Sequence, residues 1–423
     1  MHRRNFIRSG SLSVLTFGFV NSILSGCIRD NERFKELENM MAGVEPLTRE
    51  DFIKRQNKSA MLMEEYNVDG LLITGGANLN YFLDMSWWQS ERLFGVILNP
   101  KGDPIWICPA FELERAKELI KFGTDIRVWQ EHESPYDLVV DIMNELAGPS
   151  RVLGIDPGVR MFVLQGISSA AEGVELQIKY AGLITENCRG IKSEKELAYM
   201  DLANRITKIA YMEAFKMLRE GMDPGELMEL IRQAHSKMGV SGSGYPQFGI
   251  SSAFPHGTRE IITLKKGDIV LVDGGCSVEG YRSDVTRTIV FGEPEDKQKR
   301  IFDIVLKAQQ EAMKAVRPGV TCESIDAAAR KVIDDAGFGP DYKYFVHRLG
   351  HGIGLEGHEY PYLVKGNDLK LQPGMTFSNE PGIYINGEFG IRIEDCFVVT
   401  EDGGRYLGGM LTESIDKPFS LDV

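Results

Sequence analysis

The chain has 423 residues, more than one hydrophobic core normally serves, so two globular units after any targeting segment are expected. Its composition, 43% hydrophobic and 26% charged, is that of an ordinary globular protein, which sets aside disordered and fibrous classes. A formal net charge of -13 argues against a nucleic-acid partner, because affinity there comes mostly from neutralising phosphates with Lys and Arg.

The chain opens Met1-His2-Arg3-Arg4-Asn5-Phe6, followed by an apolar run from Leu12 to Leu24 broken by Ser, Gly and Asn. Roughly 20 apolar residues are needed to span a bilayer, so the shorter run reads as a signal peptide over 1–27 and not as a permanent membrane helix. The paired arginines resemble a twin-arginine export signal, with His2 where that pattern usually carries Ser or Thr. Leu24-Ser25-Gly26-Cys27 resembles a bacterial lipobox, which makes Cys27 the expected lipidated first residue of an exported protein anchored at a membrane surface of the cell envelope. Residues 28–46 then read as a tether. Five cysteines remain, an odd number without the close spacing of a disulfide scaffold or zinc knuckle. Cys108 and Cys396 sit in strand-like apolar runs and read as small core residues.

Residues 47–188 alternate helical and strand patterns. A helix is expected near Arg49 to Tyr66, then strands at Gly70-Leu-Leu-Ile-Thr, Phe94-Gly-Val-Ile-Leu, Pro104-Ile-Trp-Ile-Cys, Asp125-Ile-Arg-Val-Trp and Val152-Leu-Gly-Ile. This is an α/β signature without a Gly-rich phosphate loop; Gly75-Gly76 reads as a turn. A boundary falls near Arg189 to Ser193, where Ser193 and Glu196 form a capping box before a long amphipathic helix reaching Leu218. The second domain, 189–423, carries a faint internal repeat. Gly221-Met-Asp-Pro-Gly-Glu-Leu opens a helix capped by Asp223, and ninety-eight residues later Gly319-Val-Thr-Cys-Glu-Ser-Ile repeats the design with Thr321 as cap. Gly239 and Gly337 end the two helices at the same offset, so an α+β domain of two related halves is expected.

The chemistry gathers in that domain. Asp268-Ile-Val-Leu-Val-Asp273 is a buried-strand run ending in a carboxylate, and Asp284-Val-Thr-Arg-Thr-Ile-Val-Phe is a second strand beginning with one. In an antiparallel hairpin Asp273 and Asp284 are expected to face each other, with Thr286 on the side of Asp284. Two such carboxylates among apolar neighbours are costly to ionise unless a cation holds them. His347-Arg-Leu-Gly-His351-Gly-Ile-Gly-Leu-Glu-Gly-His358 places three of the chain's seven histidines in a Gly-rich stretch, a site-forming loop rather than a helix. Asn379-Glu380-Pro-Gly and Arg392-Ile-Glu394-Asp395 add carboxylates beside apolar strands. Two Asp, two Glu and one His bring about four negative charges, which two divalent cations neutralise; oxygen donors without thiolate favour Mn, Co, Zn, Fe or Mg. Such a pair can bridge a hydroxide and polarise the bond it attacks.

These segments, in this order, resemble the pita-bread metallopeptidases, closest to Xaa-Pro aminopeptidase and Xaa-Pro dipeptidase (prolidase). The resemblance runs from about residue 47 to 415 and includes a creatinase-like N-terminal domain, where Asn78-Leu-Asn-Tyr81-Phe-Leu matches an early family segment and Asp84-Met85 departs from it. It implies that Asp273 chelates one metal, that Asp284 and Glu394 bridge two, and that His351 and Glu380 complete the second site, with Mn as the expected ion. Glu380 is implied as general base toward a metal-bridging hydroxide, His256 and His358 as the groups that stabilise the tetrahedral intermediate and assist the leaving nitrogen. His347 is implied to shape the substrate pocket and Arg392 to orient Glu394. The implied substrate is a proline-containing peptide or dipeptide cut at the Xaa-Pro bond, and the implied assembly a homodimer. The alternatives within the same fold are a metal-independent creatinase-like hydrolase and a non-catalytic binding protein, both of which typically lack ligands that are present here.

Overall fold

The structure, a computed structural model, describes residues 34–146 and 151–420. The expected leader over 1–27, with Cys27, lies outside them. Thr48 caps the first helix, Arg49–Glu65, by accepting from Asp51 N while the Asp51 carboxylate returns to the Thr48 backbone. That helix lies against a six-stranded sheet of β1 (Gly70–Ile73), β2 (Gly95–Leu98), β3 (Ile105–Pro109), β4 (Asp125–Trp129), β5 (Val152–Ile155) and β6 (Gln177–Tyr180), in the order β4-β3-β2-β1-β5-β6. The central strands are covered on both faces, which is why they read as unbroken apolar runs. Leu71 and Ile73 enter one core cluster, Leu72 the other.

Residues 34–46, expected as part of a tether, are packed instead. Phe34 is buried, Leu37, Met40, Met41 and Val44 lie against the core of the following domain, and Met40 N donates to Met238 O at 3.0 Å. Tyr199 Oη and Lys195 Nζ hold the carbonyls of Glu45 and Pro46 at 2.5 and 2.7 Å. The stretch looks like a tether in sequence because it is short and mixed; its apolar residues are satisfied by another domain's surface, which local periodicity does not register.

The second domain has two halves of matching design. Helices Glu194–Phe215 and Pro224–Lys237 cover a sheet of β7 (Gly242–Phe248), β8 (Ile269–Val278), β9 (Tyr281–Arg282) and β10 (Val285–Val290). Helices Asp296–Ala315 and Cys322–Ile333 cover β11 (Gly350–Gly352), β12 (Glu359–Leu363), β13 (Thr376–Asn379), β16 (Asp395–Val399) and β17 (Gly404–Tyr406), with the hairpin β14 (Gly382–Ile385) and β15 (Phe389–Arg392) beside them. Asp223 caps its helix as expected, whereas Thr321 holds the cap position without a side-chain bond. Gly239 and Gly337 adopt φ of 90° and 89°, the left-handed conformation that ends a helix cheaply only in glycine. Strand β8 lies between the halves: Val270 and Val272 face the first core, Ile269 and Leu271 the second. Asp273 continues the Ile269, Leu271 row, so the two-residue period of the strand aims it at the second half. A bridge between Thr286 and Glu394 then joins the halves, Glu394 N donating to Thr286 O at 3.1 Å.

Candidate metal centre

Carboxylate oxygens of Asp273, Asp284 and Glu394 lie within 4.8 Å of one another, as do donor atoms of His351, Glu380 and Glu394. Asp284 and His351 form a third such group with His358. The five residues singled out as a ligand set therefore converge, from β8, the start of β10, β11, the end of β13 and the link between β15 and β16. One expectation fails in detail. Asp273 sits opposite Thr286, not Asp284, because the hairpin keeps Val285 paired with Gly274 and so places Asp284 diagonally. The acids still meet, since Thr286 bridges them, donating to Glu394 Oε2 at 2.7 Å and lying 3.1 Å from Asp273 Oδ1.

The electrostatics describe a site built for cations. Burial pushes the Glu380 carboxyl up to about 8, opposed by Arg392 and reinforced by Asp273. Burial first, then neighbouring carboxylates, push Asp284 and Glu394 well above the usual carboxylate range. Burial and the neighbouring His358 hold His351 down at about 3, so its imidazole is neutral. Its Nδ1 is 3.1 Å from Gly352 O, and a carbonyl only accepts, so Nδ1 carries the proton. Nε2 keeps its lone pair, 3.4 Å from Glu380 Oε1 and 3.7 Å from Asp284 Oδ2. Burial, clustered carboxylates and a neutral imidazole presenting a lone pair fit hard or borderline divalent ions.

The remaining candidates surround this core. Arg392 was expected to orient Glu394; its Nη2 instead donates to Asp273 Oδ2 at 2.8 Å, and it reaches Glu394 only through Thr286, to which Nε donates at 3.0 Å. The two residues share a strand edge, but the guanidinium is long enough to cross to β8. Arg392 Nη1 also donates to Tyr384 Oη at 2.8 Å, and Tyr384 Oη donates in turn to His347 Nε2 at 2.8 Å. His347 is held neutral, at about 3, by burial, with Arg392, Arg330 and His256 adding to the effect. His358 stacks on His351 with ring centroids 3.7 Å apart and is the more exposed of the two. Ser378 Oγ accepts from His351 N at 3.1 Å and donates to Glu380 Oε1 at 3.2 Å. Thr286, Ser378 and Tyr384 were not among the candidate site residues. Ser378 and Thr286 stand two residues from Glu380 and Asp284, a strand-period signal that could have found them; Tyr384 carries none.

An oxygen-rich donor set with one imidazole, enclosed between two matching α/β halves, defines the class: a divalent-cation site of hydrolytic type. Residues 198–401 match the model of Metallopeptidase family M24 and residues 55–191 that of the Creatinase/Prolidase N-terminal domain. The chain is 33% identical over 352 residues to the Xaa-Pro dipeptidase of Lactobacillus helveticus, covering 82% of this chain and 94% of the relative. Among solved structures it is similar to dipeptidase PepE from Mycobacterium ulcerans, with a TM-score of 0.78 at 33% identity covering 86% of this chain and 96% of that one. It is similar also to a prolidase from Thermococcus sibiricus, with a TM-score of 0.75 at 30% identity covering 84% and 96%. The chain belongs to metallopeptidase family M24 and has its pita-bread fold behind a creatinase-type N-terminal domain. It is a metallopeptidase.

Proposed function

We propose that the chain hydrolyses the Xaa-Pro bond, in dipeptides by preference, with two divalent cations held by Asp273, Asp284, His351, Glu380 and Glu394. The observation that carries this reading is the convergence of the five donors, among which burial and neighbouring carboxylates hold protons on Asp284, Glu380 and Glu394 unless cations take the protons' place. Mn is the proposed ion, and the donors also suit Co, Zn and Fe. When bound, the cations polarise the scissile carbonyl and lower the pKa of a water molecule.

The chain's own groups do the rest. Glu380, fixed by Ser378, takes the proton of the attacking water. His256 and His358 stabilise charge on the carbonyl oxygen and serve the leaving prolyl nitrogen, which has no N–H and so cannot be positioned through one. Arg392 holds Asp273 in place, while Tyr384 and His347 line the side toward β14. The dipeptide preference is supported by the activity printed in the name of the Lactobacillus helveticus relative. Cleavage of an Xaa-Pro dipeptide but not an Xaa-Pro tripeptide, with metals varied, is the expected result; faster tripeptide cleavage would replace the reading by an aminopeptidase one. Homodimerisation and anchoring through a lipid on Cys27 are proposed from the family likeness and the leader's sequence. If the anchor exists, Cys27→Ala moves the protein from the membrane fraction to the soluble one.

A further inference from the structure

A second cavity, of about 590 Å³, opens on Asp284. It runs along Gly274 to Ser277 of β8, where Gly242, Ser243 and Gly244 of β7 pair across the sheet, so its floor carries almost no side-chain bulk. Tyr384, Arg392 and His347 stand elsewhere around the acids, bonded to one another and to Asp273. The cavity and that trio thus offer two separate places beside the acids, one for each residue of a dipeptide.

The charge in the cavity is unequal. Arg232 at its edge is neutralised by Glu229, with two bonds of 2.7 Å. Arg282, on the short strand β9, has its backbone fixed by donation to Gly354 O at 2.8 Å, while its guanidinium makes one bond, to Leu355 O at 3.3 Å, and no ion pair among the described residues. Its stem passes over Gly357, where an added Cβ would lie 3.9 Å from Arg282 Cδ, immediately beside His358. Among the described residues Asp284 is the only acid lining the cavity, and it faces the cation site. An incoming side chain meets serine hydroxyls, Val240, Tyr245 and a guanidinium that has no ion pair among the described residues, although its charge also acts on Asp284.

We propose that Arg282 is a specificity-determining residue that selects an acidic residue before proline, so that the preferred substrates carry Glu or Asp as Xaa. This rests on the Xaa-Pro dipeptidase reading and adds the position of the Xaa side chain to it. Lys-Pro is disfavoured by the same charge.

The test compares kcat/KM for Glu-Pro and its neutral isostere Gln-Pro with the Mn-loaded full-length enzyme. The expected ratio is roughly 2 to 5 in favour of Glu-Pro, the scale of one solvent-edged ion pair, and it falls with added salt. Arg282→Met is expected to bring the ratio to about 1, Arg282→Lys to keep part of it, and Arg282→Glu to reverse it, with metal content and circular dichroism reporting on folding. If the variants do not fold, the wild-type ratio and its salt dependence decide. Equal cleavage of both dipeptides by wild-type enzyme, or an unchanged ratio in folded Arg282→Met, overturns the acid preference alone. No cleavage of either dipeptide by metal-loaded wild-type enzyme overturns the dipeptidase reading and this inference with it.

Discussion

The proposed roles of Glu380 pull in opposite directions: a ligand must be ionised, and a base must be willing to take a proton. Its environment serves both, since burial raises its proton affinity while Arg392 favours the charged form. Glu380→Gln keeps an oxygen donor and loses the base, so metal content is expected to persist while kcat drops ~10²–10⁴-fold. A near-normal rate with metal retained would remove Glu380 from the base role. The same carboxyl sets a pH response in the metal-free protein. Glu380 rises from 4.5 to about 8 on folding, so the folded chain keeps a proton that the unfolded chain has released; that stability is complete below the unfolded value and lost as pH rises through about 8. His351 and His347, lowered from 6.5 to about 3, act oppositely, and their contribution is complete above 6.5. Between pH 6.5 and 8 the carboxylates therefore govern, and Tm of metal-free protein is expected to fall across that window, with saturating Mn abolishing the fall. A flat or rising Tm without metal would contradict the placement of these acids. At this scale the sequence told which acids converge, because Asp273, Asp284, Glu380 and Glu394 stand against apolar strands where a carboxylate has no ordinary reason to be. It did not tell their contacts: Arg392 shares a face with Glu394 in the sequence, yet its guanidinium spans to Asp273, and Tyr384 joins the site through a hydroxyl that no periodicity marks.

Elements carry the site because β8 belongs to both cores and the Thr286–Glu394 bridge fastens the halves together. Behind that bridge is a buried charge cluster. Arg287 donates to Thr286 O and Glu394 O at 3.1 and 2.8 Å, and its Nη2 to Asp395 Oδ1 at 2.8 Å. Lys208 lies 2.7 Å from the same Asp395 oxygen and also donates to Leu407 O and Gly409 O, at 2.9 and 2.7 Å. Asp395 thus ties the C-terminal segment to β10 and to the helix Glu194–Phe215. Asp395→Asn leaves two buried cations facing an amide, and a loss of roughly 3–5 kcal/mol in chemical denaturation is expected. A loss below about 1 kcal/mol would mean the cluster is not electrostatically coupled as described. Helices and strands were legible where caps and apolar runs coincide, as at Ser193 and Asp223, whose side chains both make the capping bonds their sequences announce. The packed stretch 34–46 was not, because its apolar residues answer to a surface contributed by residues far along the chain.

At the scale of the whole molecule the two domains meet through charged residues. Arg55, from the first helix, donates to Glu196 Oε1 at 3.0 Å and to Tyr281 Oη at 2.7 Å, while Lys192 and Arg189 hold Glu359, the residue after His358. Arg189 Nη1 also donates to Asn78 Oδ1 at 3.0 Å, so the N-terminal domain borders the histidine loop. The faint ninety-eight-residue repeat proved a reliable guide to this architecture, because helix pairs with matching glycine stops imply matching sheets, even though Thr321 makes no capping bond. The proposal that five converging donors, three of them half-buried, hold two divalent cations is tested most directly by counting metal against activity. Titration of metal-free, full-length protein with Mn, followed by the rate of Xaa-Pro dipeptide cleavage, is expected to give two ions per chain at saturation, with activity rising from near zero as they bind. Protein that binds no divalent ion, or that gains no activity with Mn or Co, would contradict it.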